Sequence, residues 1–100
     1  MLKTGIGEGN SNVSIVDVSF ITLGKLCIIS FEATVKAAFT SGVLLVFPKE
    51  MKSLGTYHFV CDFGNTIKHA WIYDNTNTIC IQDGAEKTGN IRGSVIFLLR

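Results

Sequence analysis

The chain has 100 residues, 47% hydrophobic and 17% charged, with a formal net charge of +1. That length bounds one hydrophobic core rather than two. Its nine basic and eight acidic residues are spread singly, so no stripe tracks a phosphate backbone and nucleic acid is excluded as a partner. Charge this far below the roughly 25% usual for soluble domains, with a mean hydropathy of +0.37, leaves part of the exterior to meet another protein, and an oligomer is expected.

Residues Met1 to Asn12 carry Gly5, Gly7, Gly9, Asn10, Ser11 and Asn12 among few apolar side chains. Such a composition buries too little to offset ordering entropy, and the segment reads as a flexible arm or linker ahead of a domain over 13–100. Met1-Leu2-Lys3-Thr4-Gly5 lacks the apolar region of a signal peptide. Gly5-Ile6-Gly7-Glu8-Gly9 has no strand before it and no helix after it, so it is not a nucleotide loop. Asn12-Val13-Ser14 matches a glycosylation acceptor by chance.

From Val13 onward apolar residues recur at period two, with turn chemistry every eight to twelve residues. This spacing predicts an all-β domain of about seven strands, an antiparallel, jelly-roll-like β-sandwich. Val13 to Ile21 is the first strand, with Val16, Val18 and Phe20 on one face. Leu23-Gly24-Lys25 turns the chain into Leu26 to Lys36, where Cys27, Ile29, Phe31, Ala33 and Val35 form a core face. Thr40-Ser41-Gly42 precedes the apolar run Val43 to Phe47, which is far short of the ~20 residues that cross a bilayer, and no membrane insertion is expected. Pro48 ends that strand, and Lys49 to Gly55 is a loop with room for one helical turn. Thr56 to Phe63 alternates with Tyr57, Phe59, Cys61 and Phe63 on one side. Gly64-Asn65 is a two-residue hairpin signal. The return strand Thr66 to Tyr73 places Ile67, His69, Trp71 and Tyr73 on one face, and Asp74 to Asn77 turns it back. Thr78 to Gln82 is a short strand, a polar stretch runs through Gly89 and Asn90, Arg92-Gly93-Ser94 reads as a turn, and Ser94 to Leu99 closes the domain.

The chemistry-bearing residues are sparse. Cys27, Cys61 and Cys80 are too widely spaced for a zinc pattern and odd in number for a disulfide framework. They read as free thiols, which implies a reducing cytoplasm during assembly. Two histidines, His58 and His69, are too few for a histidine cage, so no metal or other cofactor is expected. Asp62, Asp74 and Asp83 would serve a hydrolase only if turns brought them together, and no catalytic residue is assigned. A row of His69, Trp71 and Tyr73, with Tyr57 and Phe59 on the strand across the hairpin, reads first as core or subunit interface and second as a platform for sugar rings.

Several of these features together resemble the carboxy-terminal receptor-binding domains of tail fibres and baseplates from phages and prophages of Gram-positive bacteria. The resemblance rests on Leu23-Gly24-Lys25 before the long strand to Val35, on Ser41-Gly42-Val43-Leu44-Leu45 running to Phe47-Pro48, and on Trp71-Ile72-Tyr73 before an Asn turn. Thr78-Ile79-Cys80-Ile81 and Arg92-Gly93-Ser94-Val95-Ile96-Phe97 complete it. After Phe47-Pro48 the chain departs from that pattern, with Lys49-Glu50-Met51-Lys52 in place of a Gly-Tyr-Arg-Pro-like stretch. The resemblance implies a homotrimeric tip attached to an upstream fibre or baseplate protein. Such a tip binds a bacterial surface saccharide or protein and is carried on the virion tail after assembly in the bacterial cytoplasm. Two other readings compete. One is a trimeric jelly roll like the heads of complement-type proteins, from Gly55-Thr56-Tyr57-His58-Phe59; the other is a small carbohydrate-active enzyme.

Overall fold

The structure, a computed structural model, describes residues 2–4 and 11–100. Its strands are β1 (Leu2–Thr4), β2 (Val13–Leu23), β3 (Leu26–Val35), β4 (Val43–Val46), β5 (Tyr57–Phe63), β6 (Thr66–Ile72), β7 (Thr78–Ile81) and β8 (Gly89–Leu98), with one 3-10 turn at Lys49–Met51. Among the described residues these eight strands form a single antiparallel sheet of order β1-β2-β3-β8-β5-β6-β7-β4, nearly closed into a barrel. Within the segment expected to be an arm, Leu2–Thr4 pairs with Ser19 to Ile21 at the sheet edge; the part spanning residues 5–10 lies outside the described residues.

Two-residue turns set most of the register. Gly24, at φ +59, lets β2 fold back so that Leu23 faces Leu26, and Gly64, at φ +62, does the same for Phe63 and Thr66. A glycine with positive φ at the first turn position matches the twist of the flanking strands. The β3–β8 ladder is the longest regular one, running from Leu26↔Leu98 to Val35↔Gly89.

Strand β8 therefore begins at Gly89 rather than Ser94, and Arg92-Gly93-Ser94 is strand interior rather than turn. The polar residues Asn90, Arg92 and Ser94 hid the alternation, because they occupy its exposed positions. Val16 is another departure. A bulge between Ile15 and Asp17 inserts one residue into β2, so Val16 is 57% exposed while Val18 and Phe20 stay inside. Period-two reasoning fails across a bulge because two residues oppose one on the neighbouring strand.

The sheet behaves as two halves, β1-β2-β3-β8 and β5-β6-β7-β4. Among the described residues their strand pairing is confined to Asp62↔Arg92 and Phe63↔Ile91. Side chains do the rest. Phe47, just beyond β4, is fully buried, with its ring 6.2 Å from Phe20 of β2 and 5.8 Å from Phe97 of β8. Its backbone is held on both sides by Asn77: its N–H donates to the Asn77 carbonyl at 2.9 Å, and its carbonyl accepts from the Asn77 side-chain amide. The inward face of β3, Cys27 to Val35, is buried as alternation predicts. One end is closed by the chain around Ser53, which bridges Leu99 and whose hydroxyl donates to the Tyr73 carbonyl at 2.8 Å.

Asp74 secures the same end. Its carboxylate accepts from the Gly55 N–H at 2.8 Å and from the Arg100 guanidinium. These two interactions, the Gly55 hydrogen bond first, hold its pKa below the ordinary carboxylate value. A depressed pKa in the folded state means stability that is present above the unfolded value and lost as pH falls through the folded one.

Two outcomes are expected. Phe47→Ala should lower the unfolding free energy by about 3–5 kcal/mol in urea titrations, the range for emptying a buried aromatic site. Asp74→Asn should lower the melting temperature at neutral pH, and the gap to wild type should close in acid below the carboxylate range; a gap independent of pH would refute the assignment.

Candidate functional site

The two-residue turn at Gly64-Asn65 dictates what meets on the outer face of the second half-sheet. With Phe63 opposite Thr66, His58 stands opposite Trp71 and Val60 opposite His69. Alternation then turns Ala70 and Ile72 into the core, leaves Ile67, His69 and Tyr73 exposed and Trp71 half-buried. The His-Trp-Tyr row thus lies on the outer face and not in the core. Tyr57, expected beside it, points the other way. Its ring lies 6.0 Å from Phe97, and its hydroxyl donates to the Leu54 carbonyl at 2.9 Å and accepts from the Leu98 N–H at 3.3 Å. Phe59 is also on the inner side, packed against the core.

In place of the expected Tyr57, His58 stands in the row beside Trp71. His58 and His69 are diagonal neighbours across β5 and β6, a pairing within reach of aromatic side chains. Their ring nitrogens Nδ1 and Nε2 lie 2.9 Å apart. The stripe continues without a break: His69 to Trp71 is 5.3 Å between ring centroids and Trp71 to Tyr73 is 6.0 Å, edge to face. The buried indole N–H of Trp71 has no hydrogen-bond partner, so packing against its neighbours fixes the ring. Gln82 joins the four rings around a shallow depression of about 300 Å³. It is tethered there by its N–H, which donates to the His69 carbonyl at 3.0 Å. Cys80 pairs with Trp71 on its far side.

A second groove, of about 630 Å³, opens where β8 and β5 diverge. Its floor is close-packed. A Cβ on Gly93 would lie 2.9 Å from Cys61 Sγ and 3.1 Å from Phe31 Cζ, so glycine is what lets β8 pass over these side chains. Its rim carries Asp62 and Arg92, and Arg92 also reaches Glu32 at 3.9 Å.

The three candidate acids are not assembled into one cleft by this sheet. Asp62 sits at the turn end of the β5–β6 hairpin and Asp74 just beyond its other end, roughly 20 Å apart at about 3.4 Å per residue. Asp83 lies in the turn after β7, at φ +61. Burial pushes the Cys27 thiol up to about 11 and the Cys61 thiol up to about 12, and it raises Cys80 as well. All three are free thiols, and a thiol held protonated is a poor nucleophile. Among the described residues, no group of three or more His, Cys, Asp and Glu is placed to hold a metal ion, and no helix is long and apolar enough to cross a membrane.

No protein-family model matches the chain, and no curated protein matches it significantly.

Proposed function

We propose that this domain is an attachment module, the tip of a phage tail fibre or baseplate, that holds a bacterial surface saccharide on the outer face of β5 and β6. The observation that carries the reading is the aromatic stripe His58, His69, Trp71 and Tyr73 around an open depression. Such a surface matches a sugar ring in both of its chemistries. Indole and phenol faces cover the apolar C–H side of a pyranose, while the imidazoles, the Tyr73 hydroxyl and the Gln82 amide meet its hydroxyls. A shallow site on strands suits a polymer that slides across a surface better than a metabolite that must be enclosed.

The tip assignment draws on the order of features from Val16 to Leu99 and on the way the outer surface divides. On the other half-sheet, Ile21, Ile28 and Ile96 form one cross-strand row, and Leu23, Leu26 and Leu98 form the next. Five of these six are exposed, from 37% at Leu26 to 71% at Leu23. Together they make an apolar patch on the order of several hundred Å², a size that marks association surfaces. In this reading three copies pack that face around a three-fold axis. The facing half-sheets then play the part of a jelly-roll-like sandwich, and the aromatic stripes point away from the axis.

Sedimentation equilibrium should give three times the 10.9 kDa chain mass, and Ile96→Glu should give a folded monomer; a wild-type monomer at high concentration removes the trimer. On glycan arrays built from Gram-positive wall polymers, Trp71→Ala should remain folded and lose affinity by roughly tenfold or more, as expected for an aromatic anchor. A Trp71→Ala protein that binds the same glycans as tightly as wild type would sink the saccharide site.

A further inference from the structure

His58 and His69 carry a second chemistry that does not depend on the saccharide reading. Both rings are exposed. They lie nearly parallel, 18° apart with centroids separated by 5.0 Å, and present Nδ1 of one to Nε2 of the other at 2.9 Å. Between neutral imidazoles this contact is a hydrogen bond in which one ring nitrogen donates and the other accepts. Two ring nitrogens held this close on adjacent strands also meet the first requirement of a metal site, which is paired donors on a rigid support.

Imidazole nitrogens bind divalent ions at about 2.0–2.1 Å, so two of them on one ion stand about 2.9–3.4 Å apart between right-angled and tetrahedral geometry, a range these rings reach by small rotations from their 2.9 Å contact. We propose that His58 Nδ1 and His69 Nε2 form a two-imidazole site for a divalent transition metal, with Cu²⁺ bound ahead of Ni²⁺ and Zn²⁺ because nitrogen donors follow that order of affinity.

Loading needs only local motion. Each ring turns about its Cβ–Cγ bond, the hydrogen bond between them opens, and the two nitrogens converge on a point on the solvent side. The donor ring gives the proton on its near nitrogen to water and takes one from water at its far nitrogen, so two neutral imidazoles bind the ion with no net proton released. The remaining positions take water, with the Gln82 side chain flanking the same depression. Cys80 lies beyond Trp71 from His58, about two strand spacings away, and is not a ligand.

Trp71 makes the site visible. It is the one tryptophan of the chain, and its ring lies 5.3 Å from His69 and 6.5 Å from His58, so a bound Cu²⁺ quenches its fluorescence. The test titrates the full chain with Cu²⁺, Ni²⁺ and Zn²⁺ separately, reading fluorescence and, for Cu²⁺, electron paramagnetic resonance. The expected result is one Cu²⁺ per chain with an axial two-nitrogen signal. Affinity should fall at least tenfold in His58→Gln and in His69→Gln, stay unchanged in Cys80→Ser, and decrease from Cu²⁺ to Ni²⁺ to Zn²⁺. Both histidine positions are exposed, and circular dichroism verifies that the variants fold. Equal affinity in either histidine variant, loss of binding in Cys80→Ser, or Zn²⁺ bound as tightly as Cu²⁺ would each overturn the site.

Discussion

The wedge of Phe47 between Phe20 and Phe97 is what makes the two half-sheets one body. Hydrogen bonds add less, since the described strand pairing between the halves spans only Asp62, Phe63, Ile91 and Arg92, supplemented by the Leu98 N–H to the Tyr57 hydroxyl and the Gly64 N–H to the Asn90 carbonyl. A ring carried by one half and buried against two strands of the other contributes on the order of 1.5–3 kcal/mol of transfer free energy, and its packing is lost as a unit if the halves separate. Asn77 makes the wedge specific, because its backbone and side chain position Phe47 just beyond the point where β4 stops pairing with β7.

With the inner faces committed to that core, the outer faces are free to differ, and they do. One half presents aliphatic side chains in aligned cross-strand rows; the other presents rings that carry nitrogen and oxygen, followed toward the hairpin turn by the exposed Val60 and Ile67. The difference is chemical as well as positional. Aliphatic rows gain most by excluding water against another apolar surface, whereas rings with polar edges accommodate a ligand that remains partly hydrated. The charged cross-strand row of Asp17, Glu32, Arg92 and Asp62 lies across the seam between these surfaces. It keeps the seam wet on its outer side.

The end closed by Ser53, Asp74 and Arg100 contributes differently. Apart from the buried Ser53 hydroxyl, its bonds involve exposed groups, so each of those is modest. What they supply is position: they hold the turn after β6 against the loop before β5, at the end of the hairpin where Tyr73 completes the aromatic stripe.

Alternation and turn residues made the strands from Val13 to Ile81 and the buried faces of β3 and β5 legible, because a pleated strand must send successive side chains to opposite sides. The position of His58 was legible too, since a two-residue turn at Gly64-Asn65 sets residue 58 opposite 71; taking Tyr57 and Phe59 as the ring partners overlooked the face that the same alternation assigns them. The bulge at Val16, the early start of β8 and the pairing of Leu2–Thr4 were not legible, because each is decided by a neighbouring strand rather than by local pattern. By itself the sequence determined that the chain is all-β and which residues could face a core. Only tertiary structure decided that the Trp71 row faces outward and that His58 meets His69, because which side of a strand becomes the interior depends on what the other half of the sheet packs against it.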